Sequence, residues 1–121
     1  MIKVGIDVLD ANRMEKISKN KPHLEQVFSE YEIEYYKQVK NYLPRLAGMY
    51  CAKEAFLKAL GIGVRNGINF KEIEISHEES GKPFYKLSDG IKDILKSLKI
   101  TDVELSISHT DNIATAICIM K

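Results

Sequence analysis

The stretch Leu46–Gly61, LAGMYCAKEAFLKALG, decides how the rest of the chain is arranged. It is built mostly from strong helix formers and closes on a glycine, the residue that most readily takes the left-handed conformation ending a helix. Pro44 just upstream suits a first helical turn, where its missing N–H is no loss. On such a helix Ala47, Cys51, Ala55 and Ala59 form one row at four-residue spacing, with Ala52, Phe56 and Leu60 beside them. That face is apolar, and its small side chains let another element pack closely. A second row, Leu46, Tyr50, Glu54 and Lys58, puts a carboxylate and an ammonium one turn apart. Taken alone, Glu54 and Lys58 read as an ordinary helix pair worth about 0.2–0.5 kcal/mol.

At 121 residues, 45% of them hydrophobic, the chain supports one domain (1–121) with a real core. A formal net charge of +1 gives no argument for nucleic acid or a membrane as partner. Cys51 and Cys118 are too few and too far apart for a disulfide framework or a zinc site. Each lies in an apolar run and is expected to be a buried thiol. With no apolar leader and no long apolar span, a reducing, cytoplasmic setting is expected.

Ile2, Val4, Ile6 and Val8 alternate with Lys3, Gly5, Asp7 and Leu9, which predicts a strand with Asp7 on the face opposite the aliphatics. Beside Gly5, where a backbone or ligand can approach, Asp7 is a candidate ligand; a solvated strand-end aspartate fits equally. Asp10 can cap a short helix with Met14 and Ile17 inward and Arg13 and Lys16 outward. Lys19–Pro22 reads as a loop. Ser29 and Glu32 make a capping-box pattern opening a helix through about Asn41, with Ile33, Tyr36 and Val39 toward the core. Tyr31 and Tyr35 fall one turn apart and read as packing. Gly61 to Gly67 is glycine-rich, but it follows a helix and its spacing misses the dinucleotide fingerprint. A second strand holds Ile73 and Ile75; Ser80-Gly81 marks a turn, and Phe84–Leu87 returns. Ser88 caps a helix with Ile91, Ile94, Leu95 and Leu98 as its buried stripe. Val103, Leu105 and Ile107 alternate in a further strand, ending at His109. Ile113–Met120 closes the chain with both faces apolar, so it needs cover on two sides, from helices and from another subunit. For His109 the residues leave a structural and a substrate-facing role equally open. The fold class is α+β: a small, mostly antiparallel sheet packed on a long central helix.

Taken in order, GIDVLDANRM, FSEYEIEYY, LAGMYCAKEAFLKALGIG, INFKEIEI, SGKPF and LSISHTDNIATAICI resemble the holo-acyl-carrier-protein synthase family, the short 4′-phosphopantetheinyl transferases. The resemblance implies that family's fold and its reaction: transfer of the phosphopantetheine arm of coenzyme A to a serine of apo acyl carrier protein, releasing 3′,5′-ADP, in fatty acid biosynthesis. It implies Mg²⁺ on Asp7 and Glu54, with Glu54 taking the serine proton and Lys58 supplying charge to the pyrophosphate. Ser108 and His109 would lie near the coenzyme A phosphates, Gly63 and Arg65 beside the nucleotide, and Arg13 against the carrier's acidic helix. The family commonly has an arginine, contacting a coenzyme A phosphate, where this chain has Met49. Arg45, one turn earlier, is long enough to replace it; a solvated helix arginine is the alternative. The family is typically a homotrimer with sites at its subunit interfaces. Two other functions fit parts of the pattern: a trimeric coenzyme A or nucleotide-binding module without turnover, and a metal-dependent nucleotide pyrophosphatase.

Overall fold

The alternating segment near the start folds as β1 (Lys3–Asp10), and β4 (Val103–His109) and β5 (Ile113–Met120) join it in an antiparallel sheet of order β1-β5-β4. The structure is a computed structural model and describes residues 1–62 and 67–121. A hairpin of β2 (Ile73–His77) and β3 (Pro83–Leu87) makes a second, two-stranded sheet. Around the two sheets run α1 (Glu15–Lys19), α2 (Lys21–Val27), α3 (Glu30–Lys37), α4 (Leu43–Leu60) and α5 (Asp89–Ser97).

The central helix α4 forms as its sequence requires. Pro44 sits in its first turn and Gly61 closes it at φ 78°, with the Gly61 N–H donating to the carbonyls of Leu57 and Lys58. Ala47, Cys51, Ala52, Ala55, Phe56, Ala59 and Leu60 are all buried. The helix crosses the three-stranded sheet diagonally. Gly48 lies against Ile107 of β4, Cys51 donates to the carbonyl of Ala114 on β5 at 3.6 Å, and the backbone of Ala55 and Ala59 meets Gly5 of β1. Gly5 matters for want of a side chain. A Cβ there would fall on the carbonyl oxygen of Ala55 and come within 2.5 Å of the Ala59 nitrogen.

Asp7 lies on the strand face opposite the aliphatics, as the alternation predicts. Gly5, Asp7 and Leu9 are on the helix side, paired with Cys118, Ala116 and Ala114 of β5. Val4, Ile6 and Val8 point the other way and are 54%, 60% and 66% exposed. On β5, Ala114, Ala116, Cys118 and Met120 are buried, while Ile113 and Ile119 are exposed. One side of the closing strand is therefore covered by α4; within one chain the other is open.

Several expectations are corrected. Lys19–Pro22 is not a loop: Asn20 alone separates α1 from α2, accepting from the His23 N–H, with Pro22 in the first turn. The capping box of Ser29 and Glu32 is present, but α3 stops at Lys37, well short of Asn41. Tyr36 is buried, and Ile33 and Val39 only partly. In the stripe of α5, Ile91 and Leu95 are buried whereas Leu98, the C-cap, is exposed. The second strand holds Ile73 and Ile75 as expected, and a short 3-10 helix, Phe70–Glu72, leads into it.

Glu32 and Lys53 form a fully buried ion pair at 2.9 Å. The ammonium also donates to the carbonyls of Phe70 and Ile73, using all three of its protons. The carboxylate accepts from the N–H groups of Ser29 and Ile75. Burial pushes the Glu32 pKa up and the Lys53 pKa down, and their mutual attraction opposes both shifts. A buried pair of this kind holds elements in register more than it adds net stability. Here it ties α3 and β2 to α4.

Gly5→Ala puts a methyl group into backbone atoms that have nowhere to go. It should cost about 3 kcal/mol or more, the upper range for overpacking. Urea unfolding checks this, and a variant within about 1 kcal/mol of the parent would mean that β1 and α4 do not touch here.

Candidate active site

Because Gly5 draws β1 onto α4, Asp7 two residues later comes down beside the helix row Tyr50, Glu54 and Lys58. The Lys58 ammonium lies 3.1 Å from a carboxylate oxygen of Asp7 and 3.1 Å from the carbonyl of Ile6. It bridges helix to strand instead of making the within-helix pair with Glu54 that spacing suggested. The bridge is partly solvated, with Lys58 more exposed than Asp7.

Both carboxylates act on two neighbouring side chains. Burial pushes the Cys51 thiol up to about 12, and the charge and hydrogen bonding of Asp7, then the charge of Glu54, add to it. Tyr50 is raised first by burial, then by Glu54, then by Asp7. Asp7 from the strand and Glu54 from the helix thus bear on the same two side chains. No group of three or more His, Cys, Asp or Glu suited to a metal occurs among the described residues. A cation on Asp7 and Glu54 would complete its shell with substrate oxygens and water, which is how Mg²⁺ is usually held. The donor set fits that ion.

Arg13 is exposed on the same flank, where it lines a shallow cavity of about 180 Å³ with Leu9, Met14, Ile17, His23 and Tyr50. Arg45 and His109 meet elsewhere, in a second cavity of about 180 Å³ shared with Tyr35, Met49, His77 and Ile107. There the Arg45 guanidinium lies over the Tyr35 ring and donates to the Tyr35 carbonyl at 3.1 Å. Burial, then the Arg45 charge, pushes the His77 pKa below its ordinary value. Ser108 is parted from His109 by strand alternation and lines the outer sheet face with Ile6 and Thr115. Gly63 and Arg65 lie outside the described residues.

The expected site residues therefore form two patches. Arg45 and Glu54 are nine residues apart on one helix, which is about 13 Å along its axis and half a turn around it. Asp7 and His109 lie on strands at opposite edges of the sheet, with β5 between them, about 10 Å at the strand spacing. Residues missed in the sequence are Tyr50, Tyr35 and His77. Tyr50 shared the row of Glu54 and carried that signal; Tyr35 and His77 come from distant segments with no local cue.

This arrangement of a strand aspartate, a helix glutamate and a lysine one turn on sits in a chain whose residues 3–118 match the model of the 4′-phosphopantetheinyl transferase superfamily. The chain belongs to that superfamily. It is 42% identical over 117 residues to the holo-[acyl-carrier-protein] synthase of Caldanaerobacter subterraneus subsp. tengcongensis, covering 96% of this chain and 91% of the relative. Among solved structures it resembles the holo-[acyl-carrier-protein] synthase of Neisseria meningitidis, with a TM-score of 0.88 at 27% identity over 100% of this chain and 99% of the other. It also resembles that of Bacillus anthracis in complex with coenzyme A (3′,5′-ADP), with a TM-score of 0.78 at 31% identity over 98% and 94% of the two chains. The α+β fold expected from the resemblance is the fold of these superfamily members.

Both cysteines of this superfamily member are buried, and burial raises their pKa values to about 12 for Cys51 and about 11 for Cys118. The thiolate is the reactive form, so neither should react quickly near neutral pH. Titration with a chromogenic disulfide should count no fast thiol in the native protein and two after denaturation. A fast native thiol would contradict the close packing of α4 on the sheet, where both cysteines are buried.

Proposed function

We propose that the chain transfers the 4′-phosphopantetheine arm of coenzyme A to a serine of apo acyl carrier protein, with Asp7, Glu54 and Lys58 as its catalytic residues. The observation that carries this reading is the bridge from Lys58 to Asp7 at the contact of β1 and α4, one helical turn from Glu54, in a chain of this superfamily. In the reaction the serine oxygen bonds to the phosphorus bearing the pantetheine arm. The bond from that phosphorus to the bridging oxygen breaks, and 3′,5′-ADP leaves. Such a transfer depends on positioning and charge neutralisation more than on covalent catalysis.

Asp7 and Glu54 would hold Mg²⁺, which supplies positive charge to the pyrophosphate and polarises the phosphorus under attack. Glu54, directly or through a water, takes the serine proton. Lys58 has its ammonium at the same patch and offsets charge on the departing phosphate. Arg13, on the cavity flank beyond Leu9, faces the acidic helix of the carrier. At the other patch Arg45 and His109 meet the coenzyme A phosphates, with Arg45 taking the place of the arginine absent at Met49. Gly63, Arg65 and Ser108 remain candidate substrate contacts from the resemblance alone.

The carboxylate patch at the β1 edge and the cationic patch at the β4 edge complement each other between copies. A head-to-tail contact closes into a ring where its rotation divides the circle and otherwise extends into a filament; here the ring is the assembly proposed. The open apolar face of Val4, Ile6, Val8, Ile113 and Ile119 supports such burial against other copies. A homotrimer with a site at each interface fits both features. No described helix is long and apolar enough to cross a membrane. The proposed reaction belongs to fatty acid biosynthesis in the cytoplasm.

The test is incubation with coenzyme A, Mg²⁺ and apo carrier protein, read by mass spectrometry. A phosphopantetheine mass gain on the carrier is expected. Release of 3′,5′-ADP without that gain would mean a pyrophosphatase; neither product would mean a binding module. Glu54→Gln should lower turnover by at least roughly a hundredfold, the cost of one key electrostatic group, with folding kept. A variant within a factor of about three of the parent would remove Glu54 from the site.

A further inference from the structure

The Arg45 side chain is held at two points. Its guanidinium carbon lies 4.4 Å from the centroid of the Tyr35 ring, and its Nη1 donates to the Tyr35 carbonyl at 3.1 Å. The same ring stacks on the His77 imidazole, with centroids 3.7 Å apart and planes 12° from parallel. The imidazole is anchored in turn, with Nδ1 meeting the Tyr31 hydroxyl at 3.1 Å. These contacts join three separate elements: Arg45 on α4, Tyr31 and Tyr35 on α3, and His77 at the end of β2. All but Tyr31 line the cavity that also holds His109.

A free arginine side chain loses about 2 kcal/mol of rotamer entropy when it is fixed to a ligand. Here much of that ordering is already present. The guanidinium carbon rests over the Tyr35 ring, and the Tyr35 carbonyl takes one of the five N–H groups. Among the described residues its other donors have no partner, and such donors are the ones that grip a phosphate. Met49, one turn along α4 on the same cavity, offers neither charge nor donor, so among the described residues Arg45, His77 and His109 are the basic groups that line it.

We infer that Tyr35 and His77 are positioning residues that hold the Arg45 guanidinium ready for a coenzyme A phosphate. Tyr31 fixes the imidazole at the far end of the stack. The role rests on the proposed assignment of Arg45 as a phosphate contact, and it acts on coenzyme A affinity through Arg45, leaving carrier binding and chemistry alone.

The experiment is a set of calorimetric titrations of the intact protein with coenzyme A, for the parent, Arg45→Ala, Tyr35→Leu, Tyr35→Phe and Tyr35→Leu/Arg45→Ala. Arg45→Ala should weaken binding roughly ten- to a hundredfold, the scale of a charge-assisted hydrogen bond. Tyr35→Leu keeps the carbonyl but removes the platform, and should weaken binding about fivefold to tenfold. Tyr35→Phe retains the ring and should bind within about twofold of the parent. The double variant should be no weaker than Arg45→Ala, because the ring has nothing left to hold. In turnover assays Tyr35→Leu should raise KM for coenzyme A and leave kcat and the carrier KM unchanged. Should circular dichroism show Tyr35→Leu unfolded, His77→Ala removes the stacking partner instead and should weaken binding a few-fold, again only where Arg45 is present. Parent-like binding by Tyr35→Leu, or losses that multiply in the double variant, would overturn the inference while leaving Arg45 a phosphate ligand. Parent-like binding by Arg45→Ala would overturn the assignment of Arg45, and the platform with it.

Discussion

The rest of the structure depends on the contact between Gly5 and the backbone of α4. A strand and a helix usually meet through side chains, which hold their backbones well apart. Here β1 carries no side chain at the crossing point, and α4 offers only the small residues Ala55 and Ala59. The two backbones touch. That contact sets the height of the strand over the helix, and so brings Asp7 level with Lys58 and Glu54. A side chain at position 5 would lift the strand and carry Asp7 away from its partners. The alanine row of α4 is thus more than an apolar face: its small residues let the strand, and with it the carboxylate, come down to the helix.

The diagonal path of α4 has a second effect. Its first turns lie over β4 and its last turns over β1, so candidate site residues on one helix are delivered to opposite edges of one sheet. Arg45 shares a cavity with His109, while Lys58, one turn beyond Glu54, bonds to Asp7, and the two groups stay apart in a single chain. The β1 strand also turns its aliphatic side chains away from the core, because the glycine and aspartate side is the one the helix covers. A pattern that usually marks core in a two-layer fold here marks an uncovered surface. Both features have one economical explanation in the head-to-tail ring proposed above, which buries the aliphatic face and joins the two patches.

How much of this was legible in the sequence depends on how far apart the interacting residues are. Caps and turns are local, and Asp10, Ser29 with Glu32, Ser88 and Gly61 all act as their residue types predict. The helix α2 was missed because its apolar signal amounts to Leu24 and Val27 amid polar residues. Asn20 and Pro22 served as helix-start signals where they had been read as loop. The Glu32–Lys53 pair joins residues 21 apart, and nothing in a helical pattern tells a buried lysine from a solvated one. Lys58 bonds across 51 residues to Asp7, and its local neighbour Glu54 was the wrong partner to expect. Alternation correctly placed Asp7 opposite the aliphatics, but it could not say which face the helix would cover. The candidate site was therefore visible as residue types, whereas its division into two patches needed the crossing of α4 over the sheet.

The measurement that tests this account most directly is subunit complementation. Asp7→Asn chains and Arg45→Glu chains carry damage to different patches, and each alone should form nearly inactive assemblies. Co-expressed with separate tags, they can be purified as mixed assemblies containing both kinds of chain. In a mixed ring of three, one interface joins an intact carboxylate patch to an intact cationic patch, so about one site in three should work. Turnover near that fraction of the parent is the predicted result. Mixed assemblies no more active than either variant alone would contradict a site completed between copies.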